Sequence, residues 1–225
     1  MNTRIVFPSV ILLLSTQAMA GGMPEVYVGA GVGASKSNAD KGDLVVNPSR
    51  CDLAGATCSN DDSSVTKRLY VGHPLSDKLA VEAEYVDLGK VVDGKVIQGG
   101  VSDHYSQKTQ GLGVSLVGQV KPLANNPVAV YAKVGALHWI SKAEASFSPV
   151  VTGFGASVSR KENSTAPTLG IGVEYPLANK WSLRAGWDRY FNVGESHALL
   201  DEGTSTWRTL KTDVDNYHLD AVYHF

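Results

Sequence analysis

Eight segments with apolar residues at every second position predict an all-β chain. Connections that alternate long and short make it an antiparallel up-and-down barrel, with four long loops at one end and three short turns at the other. Glycine at 23 of 225 residues favours turns and close backbone approach over long helices.

Composition sets the outer limits. With 43% hydrophobic and 19% charged residues the chain can form a folded core. A net charge of −2 gives no basic field to hold nucleic acid, so no nucleic-acid partner is expected. Two cysteines are too few for a multi-cysteine zinc site, and no metal or other cofactor is expected.

Residues 1–20 form a separate unit. Arg4 supplies a positive start, residues 5–14 are mostly apolar, and Ala18-Met19-Ala20 places small residues where signal peptidase reads. The apolar run contains Pro8 and Ser9 and is shorter than the roughly 20 residues a spanning helix needs. The expectation is a secretory signal cleaved after Ala20, leaving residues 21–225 as one domain exported through the general secretion pathway. That excludes a helical inner-membrane protein and argues against a cytosolic enzyme.

The strands follow in order. Val26, Val28, Ala30 and Val32 alternate with Tyr27, Gly29, Gly31 and Gly33. Val65, Leu69 and Val71 oppose Thr66, Arg68 and Tyr70, with Lys67 on the apolar face and therefore expected at an interface. Leu79, Val81, Ala83 and Tyr85 oppose Glu82 and Glu84. Leu112, Val114, Leu116 and Val120 form the fourth apolar face, and Val128, Val130, Ala132, Val134 and Ala136 form the fifth, opposite Tyr131, Lys133 and Gly135. Leu169, Ile171, Val173 and Tyr175 alternate with Gly170, Gly172 and Glu174. Leu183, Ala185 and Trp187 alternate with Ser182, Arg184, Gly186 and Asp188. The last strand sets Tyr217, Leu219, Ala221, Tyr223 and Phe225 against His218, Asp220 and His224.

Three connections share a pattern: Pro74-Leu75-Ser76-Asp77-Lys78, Pro122-Leu123-Ala124-Asn125-Asn126 and Pro176-Leu177-Ala178-Asn179-Lys180. Proline presets φ and Asn or Asp tolerates the left-handed region, so each can reverse the chain tightly. Between them run long polar segments, 35–64, 88–109, 141–167 and 192–216, expected as loops.

One face is nearly uncharged on every strand; the other carries Arg68, Glu82, Glu84, Lys133, Glu174, Arg184, Asp188 and Asp220. An apolar stripe on eight strands would be one large exposed patch in water, which soluble monomers avoid. In lipid it is what a closed transmembrane barrel needs, because every backbone group must pair within the sheet. Expected partners are then outer-membrane lipid and lipopolysaccharide, and the location is a Gram-negative outer membrane. Tyr85, Tyr175, Trp181, Trp187 and Tyr223 are expected in interfacial girdles.

The segments Glu82-Ala83-Glu84-Tyr85-Val86-Asp87-Leu88-Gly89, Val130-Tyr131-Ala132-Lys133-Val134-Gly135, Gly172-Val173-Glu174-Tyr175 and Leu183-Arg184 resemble the transmembrane domain of outer membrane protein A and its small barrel relatives. The terminal Tyr223-His224-Phe225 is similar to the signal read by the outer-membrane assembly machinery, so that machinery and periplasmic chaperones are implied partners. Outer membrane protein A continues into a peptidoglycan-binding domain; this sequence stops at the last strand, so no such domain is expected.

The inward charges should pair with one another, since unpaired buried charge is costly. Glu174 and Arg184, joined by a Pro-Leu-Ala turn, stand where the resemblance implies an interior Glu–Arg pair. That pair could act as a plug fixing strand register or as a gate for small ions. Cys51 and Cys58, which enclose six residues in the first long segment of an exported chain, are expected to form a disulfide. Glu195-Ser196-His197 are sequence neighbours on one segment, poorly placed for a nucleophile, base and oxyanion site together, and no enzyme activity is expected. Two functions follow: a structural and surface-interaction protein whose loops meet a host or other surface ligand, in adhesion or envelope integrity, or a narrow porin-like pore. The charges filling the lumen favour the first, and the inward Gly29, Gly31, Gly33, Gly170 and Gly172 leave room for water and keep the second open.

Overall fold

The computed structural model describes residues 26–38, 55, 57–121, 127–149, 156–201 and 206–225. Its strands are β1 (Tyr27–Ser37), β2 (Thr57–Asp61), β3 (Ser63–Ser76), β4 (Leu79–Gln98), β5 (Val101–Val120), β6 (Ala129–Pro149), β7 (Ala156–Ala178), β8 (Trp181–Asp201) and β9 (Thr206–His224). Every pairing is antiparallel. The order β4-β3-β1-β9-β8-β7-β6-β5, with β5 paired back to β4, closes a ring of eight. The short β2 adds to the outer part of β4. It is a continuation of β3: ten residues forward from Thr57 to Lys67 moves the β4 partner ten residues back, from Ile97 to Asp87. One barrel strand is thus interrupted around Asp62, and the eight-strand expectation holds for the ring.

Three of the long segments, 88–109, 141–167 and 192–216, are strand over most of their length; most of 35–64 lies outside the described residues. β4 and β5 stay in register up to Gln98 opposite Val101. Gly99 and Gly100 close that hairpin with φ of 55° and 80°, the positive values a two-residue turn matched to strand twist requires. β6 and β7 pair from Ala129 opposite Glu174 out to Phe147 opposite Ala156, and β8 and β9 out to Asp201 opposite Thr206. The correction has a physical reason. Beyond the apolar band the alternation changes phase: on β6, Val130 and Val134 face outward with Lys133 inward, whereas further along Leu137 and Trp139 are buried inward with His138 exposed. A strand leaving lipid exchanges its apolar exterior for a polar one, and an apolar-out template stops matching there.

The short turns are also reassigned. The chain reverses at Asp77–Lys78 and Asn179–Lys180. The preceding Pro-Leu pairs sit inside β3 and β7 at register shifts, Pro74/Ser76 and Pro176/Ala178, with Leu75 and Leu177 bulged outward and exposed. Proline is tolerated there because a bulge needs no ladder donor. Pro122–Asn126 lies outside the described residues, as do Ala18, Ala20 and the rest of the expected signal segment.

Candidate functional site in the barrel lumen

The register decides which inward side chains meet. Glu174 lies directly opposite Arg184 on β7 and β8. Arg184 donates from Nε and Nη2 to Glu174 Oε2 at 3.2 and 2.9 Å. Its Nη1 reaches across the lumen to Glu82 Oε1 at 2.5 Å, a contact between residues 102 apart in sequence. Tyr27 donates to the same Glu82 oxygen at 2.8 Å, and Ser182 to Glu174 Oε1 at 2.6 Å, with His224 Nε2 3.2 Å from that atom. The guanidinium lies 4.7–5.4 Å from the ring centres of Tyr131, Tyr70 and Tyr27, a cation–π cage.

A second charged layer lies outward of the first. Arg68 donates to Glu84 at 2.9 Å and to Asp188 at 2.8 Å; Lys133 reaches the same two carboxylates at 3.1 and 2.8 Å. His218 lies 3.0 Å from Asp220 and 3.4 Å from Asp188. Arg68, Glu82, Glu84, Lys133, Glu174, Arg184, Asp188 and Asp220 are all buried inside the ring. Two oppositely charged pairs sharing partners satisfy more of each group's hydrogen-bonding capacity than isolated pairs would, which is what makes buried charge tolerable.

Further out the lumen turns apolar. Val86, Leu88, Leu137, Trp139, Tyr190 and Val214 belong to one buried cluster. Sequence reasoning missed this layer, along with Glu82 as the second partner of Arg184 and the tyrosine cage. The reversed phase of alternation at Leu137-His138-Trp139 is the signal that marks the layer.

The inward glycines do not leave room for water. A Cβ on Gly29 would meet the Tyr70 ring at 2.1 Å, one on Gly31 the Asp220 carboxylate at 1.8 Å, and one on Gly172 the Tyr131 ring. The backbone carbonyl of Tyr217 and the Thr66 hydroxyl occupy the space at Gly33, and the Asp188 and Lys133 side chains that at Gly170. At Gly29 and Gly172 the missing side chain admits a tyrosine ring from a neighbouring strand, and at the others neighbouring polar side chains or backbone close the space, so these positions are filled.

Trp181, Tyr223 and Phe225 stack edge-on in a row, with ring centres 5.0 Å apart at each step. Tyr175 lies exposed at the same end of the barrel, and Tyr85 and Trp187 toward the other; Tyr85 bonds Gln110 and Trp187 bonds Asp215. Lys67 is exposed opposite Asp87, which in turn pairs with Lys108 at 3.3 Å. Beyond it, burial raises the Asp93 carboxyl, but hydrogen bonds from Lys90 and His104 outweigh this and hold it below the usual range. Cys58 lies on β2 and Cys51 outside the described residues; the side chains of Glu195, Ser196 and His197 are likewise outside them. Among the described residues no cluster of His, Cys, Asp and Glu is arranged to hold a metal ion.

Among solved structures, Neisserial surface protein A is 15% identical, with TM-score 0.48, covering 89% of this chain and 97% of its own. The attachment invasion locus protein Ail of Yersinia pestis is 14% identical, with TM-score 0.46, covering 91% and 100%. OprG from Pseudomonas aeruginosa is 14% identical, with TM-score 0.45, covering 90% and 96%. No curated protein sequence matches the chain. The outer membrane protein beta-barrel domain model matches residues 9–225. With the closed ring and the apolar exterior, that match makes the chain a member of the outer-membrane β-barrel domain family, a multi-pass barrel of the Gram-negative outer membrane.

Proposed function

We propose that the protein is a closed outer-membrane barrel with a structural and surface-interaction role, in adhesion or envelope integrity, rather than a conduit. The observation that carries this reading is the filled lumen: two charged layers followed by the apolar layer around Leu137 and Trp139. An ion crossing it would have to break salt bridges and then shed water in an apolar constriction. The strands meanwhile run well past the apolar band, with β4 continuing roughly 25 Å along its length from Lys90 to Gln98. That wall is the surface offered to a host or other external ligand. Purified barrel in planar bilayers is expected to show no conductance above the lipid baseline, and steady unit currents in the wild type would overturn the reading.

The alternative is a narrow pore. Tyr131 Oη, Asp188 Oδ1 and Asn216 Nδ2 are buried in the lumen with no hydrogen-bond partner, so the charged layers retain polar sites for water. The apolar layer weighs against a continuous water path.

Several further assignments belong to this reading. Residues 1–20 act as the signal peptide, cut after Ala20 within Ala18-Met19-Ala20. Tyr223 and Phe225, in the outer-face aromatic row, are read by the assembly machinery, with periplasmic chaperones delivering the chain. Cys51 and Cys58 form a disulfide in the first long segment, where a short ring contributes about 2 kcal/mol or less, to that segment rather than the barrel. Both thiols are expected to resist labelling in intact cells until a reductant is added, and the Cys51→Ser/Cys58→Ser variant to fold as a normal barrel. Labelling of both without reductant would remove the disulfide.

A further inference from the structure

Outside the apolar band four lysines fall into one line. Lys90 on β4 lies opposite Lys108 on β5, Lys108 opposite Lys142 on β6, and Lys142 opposite Lys161 on β7. All four are exposed on the outer face. Directly opposed residues on antiparallel strands have Cβ atoms roughly 4.5–5.5 Å apart, and like charges at that spacing destabilise a sheet. A row of three such contacts is relieved by negative charge laid along it.

The chain's own acids offset the row only in part. Lys90 pairs with Asp93 at 2.7 Å, Lys108 with Asp87 at 3.3 Å, and Lys142 with Glu144. Exposed pairs of this kind hold their partners weakly. Among the described residues no ion pair involves Lys161, and Lys95 adds a further exposed cation beyond the row, opposite His104. The outer face of β4 to β7 therefore carries an excess of lysine, although the whole chain has a net charge of −2.

Position names the source of the anion. On β5 the outermost apolar residue of the lipid-facing stripe is Leu112, four residues C-terminal to Lys108. That is roughly 13 Å along the strand, or about 10 Å along the axis of a barrel with strands tilted about 40°. Lys108 and its neighbour Lys90 thus stand at headgroup depth. A row at right angles to tilted strands climbs as it goes, and on β7 Lys161 is eight residues from the exposed Leu169.

We propose that the Lys90–Lys108–Lys142–Lys161 row binds the phosphates of a phosphorylated glycolipid headgroup in the outer leaflet. The inference rests on the outer-membrane placement and deepens the lipid-partner reading. Lysine suits this role as a compact, mobile point charge that can follow a phosphate. A soluble polyanionic glycan is the less favoured occupant, because the lower end of the row lies among lipid headgroups.

The test uses the full barrel in phosphatidylcholine vesicles, alone, with diphosphorylated lipid A, with dephosphorylated lipid A, or with inorganic phosphate in solution. Binding of fluorescent lipid A is measured for the wild type, Lys108→Gln, Lys142→Gln and the double variant. Lys36→Gln, an exposed lysine on β1 away from the row, is the control. Each row substitution is expected to weaken binding about fivefold and the pair roughly 25-fold, the effect of about one surface lysine each. Lys36→Gln should match the wild type, dephosphorylated lipid should bind all variants alike, and in phosphatidylcholine alone the double variant should resist heat at least as well as the wild type. A double variant that inserts and binds diphosphorylated lipid within twofold of the wild type overturns the site alone. So does equal protection by inorganic phosphate, or displacement of the lipid by a soluble sulfated glycan at equal charge concentration. A wild type that inserts into none of the vesicles overturns the outer-membrane placement and the site with it.

Discussion

Arg184→Ala is expected to lower the unfolding free energy of the barrel by about 3 kcal/mol. The substitution leaves Glu82 and Glu174 facing each other across the lumen without the cation that both contact, and it removes the centre of the Tyr27, Tyr70 and Tyr131 cage. Breaking a buried pair from one side typically costs roughly 3–5 kcal/mol, and water admitted to the lumen brings the cost to the low end. Urea titration of the lipid-embedded protein, followed by heat-modifiable gel mobility, reads the loss. Arg184→Ala combined with Glu174→Gln should cost less than the two single changes added together, because fewer charges are stranded. The same variants separate a plug from a gate. Glu174 and Arg184 occupy the inner layer, and the apolar layer stays intact above them, so Arg184→Ala alone should leave conductance at baseline. Cation-leaning current from that single change would make the pair a gate. Additive unfolding energies with no current would make both residues independently solvated charges.

Trp139→Ala is expected to cost a similar or larger amount, about 3–5 kcal/mol, through the cavity it opens in the apolar layer. Trp139 has no exposed surface and packs in the cluster with Leu88, Leu137 and Tyr190. Its loss should also convert an apolar constriction into a space large enough for water. Single-channel recording of Trp139→Ala with Arg184→Ala is nevertheless expected to stay at baseline, because the Arg68–Glu84–Lys133–Asp188 layer still fills the lumen between the two sites, and current in the double variant would mean that this middle layer lets ions past. A Trp139→Ala protein as stable as the wild type would mean that the layer is already loosely packed.

The amino-acid sequence alone determined the eight-membered ring, the apolar exterior and the identity of the inward charges. These are consequences of a period of two, which is local: once Val173 faces lipid, Glu174 must face the lumen, whatever the rest of the chain does. The Glu174–Arg184 contact was legible for the same reason, since a short turn places the two residues opposite each other. Three features belonged to the tertiary structure. The bond from Arg184 to Glu82 spans the lumen between strands that are not neighbours and exists only once β1 pairs with β9 and the ring closes. The glycines looked like open space because a sequence shows a missing side chain but not the tyrosine that a staggered neighbouring strand swings over it. The outer halves of β4 to β9 looked like loops because the apolar stripe that marks a strand in lipid moves to the inner face where the strand enters water. There the ladder is held by pairing with the next strand, so it can be seen only from the register and not from either strand by itself.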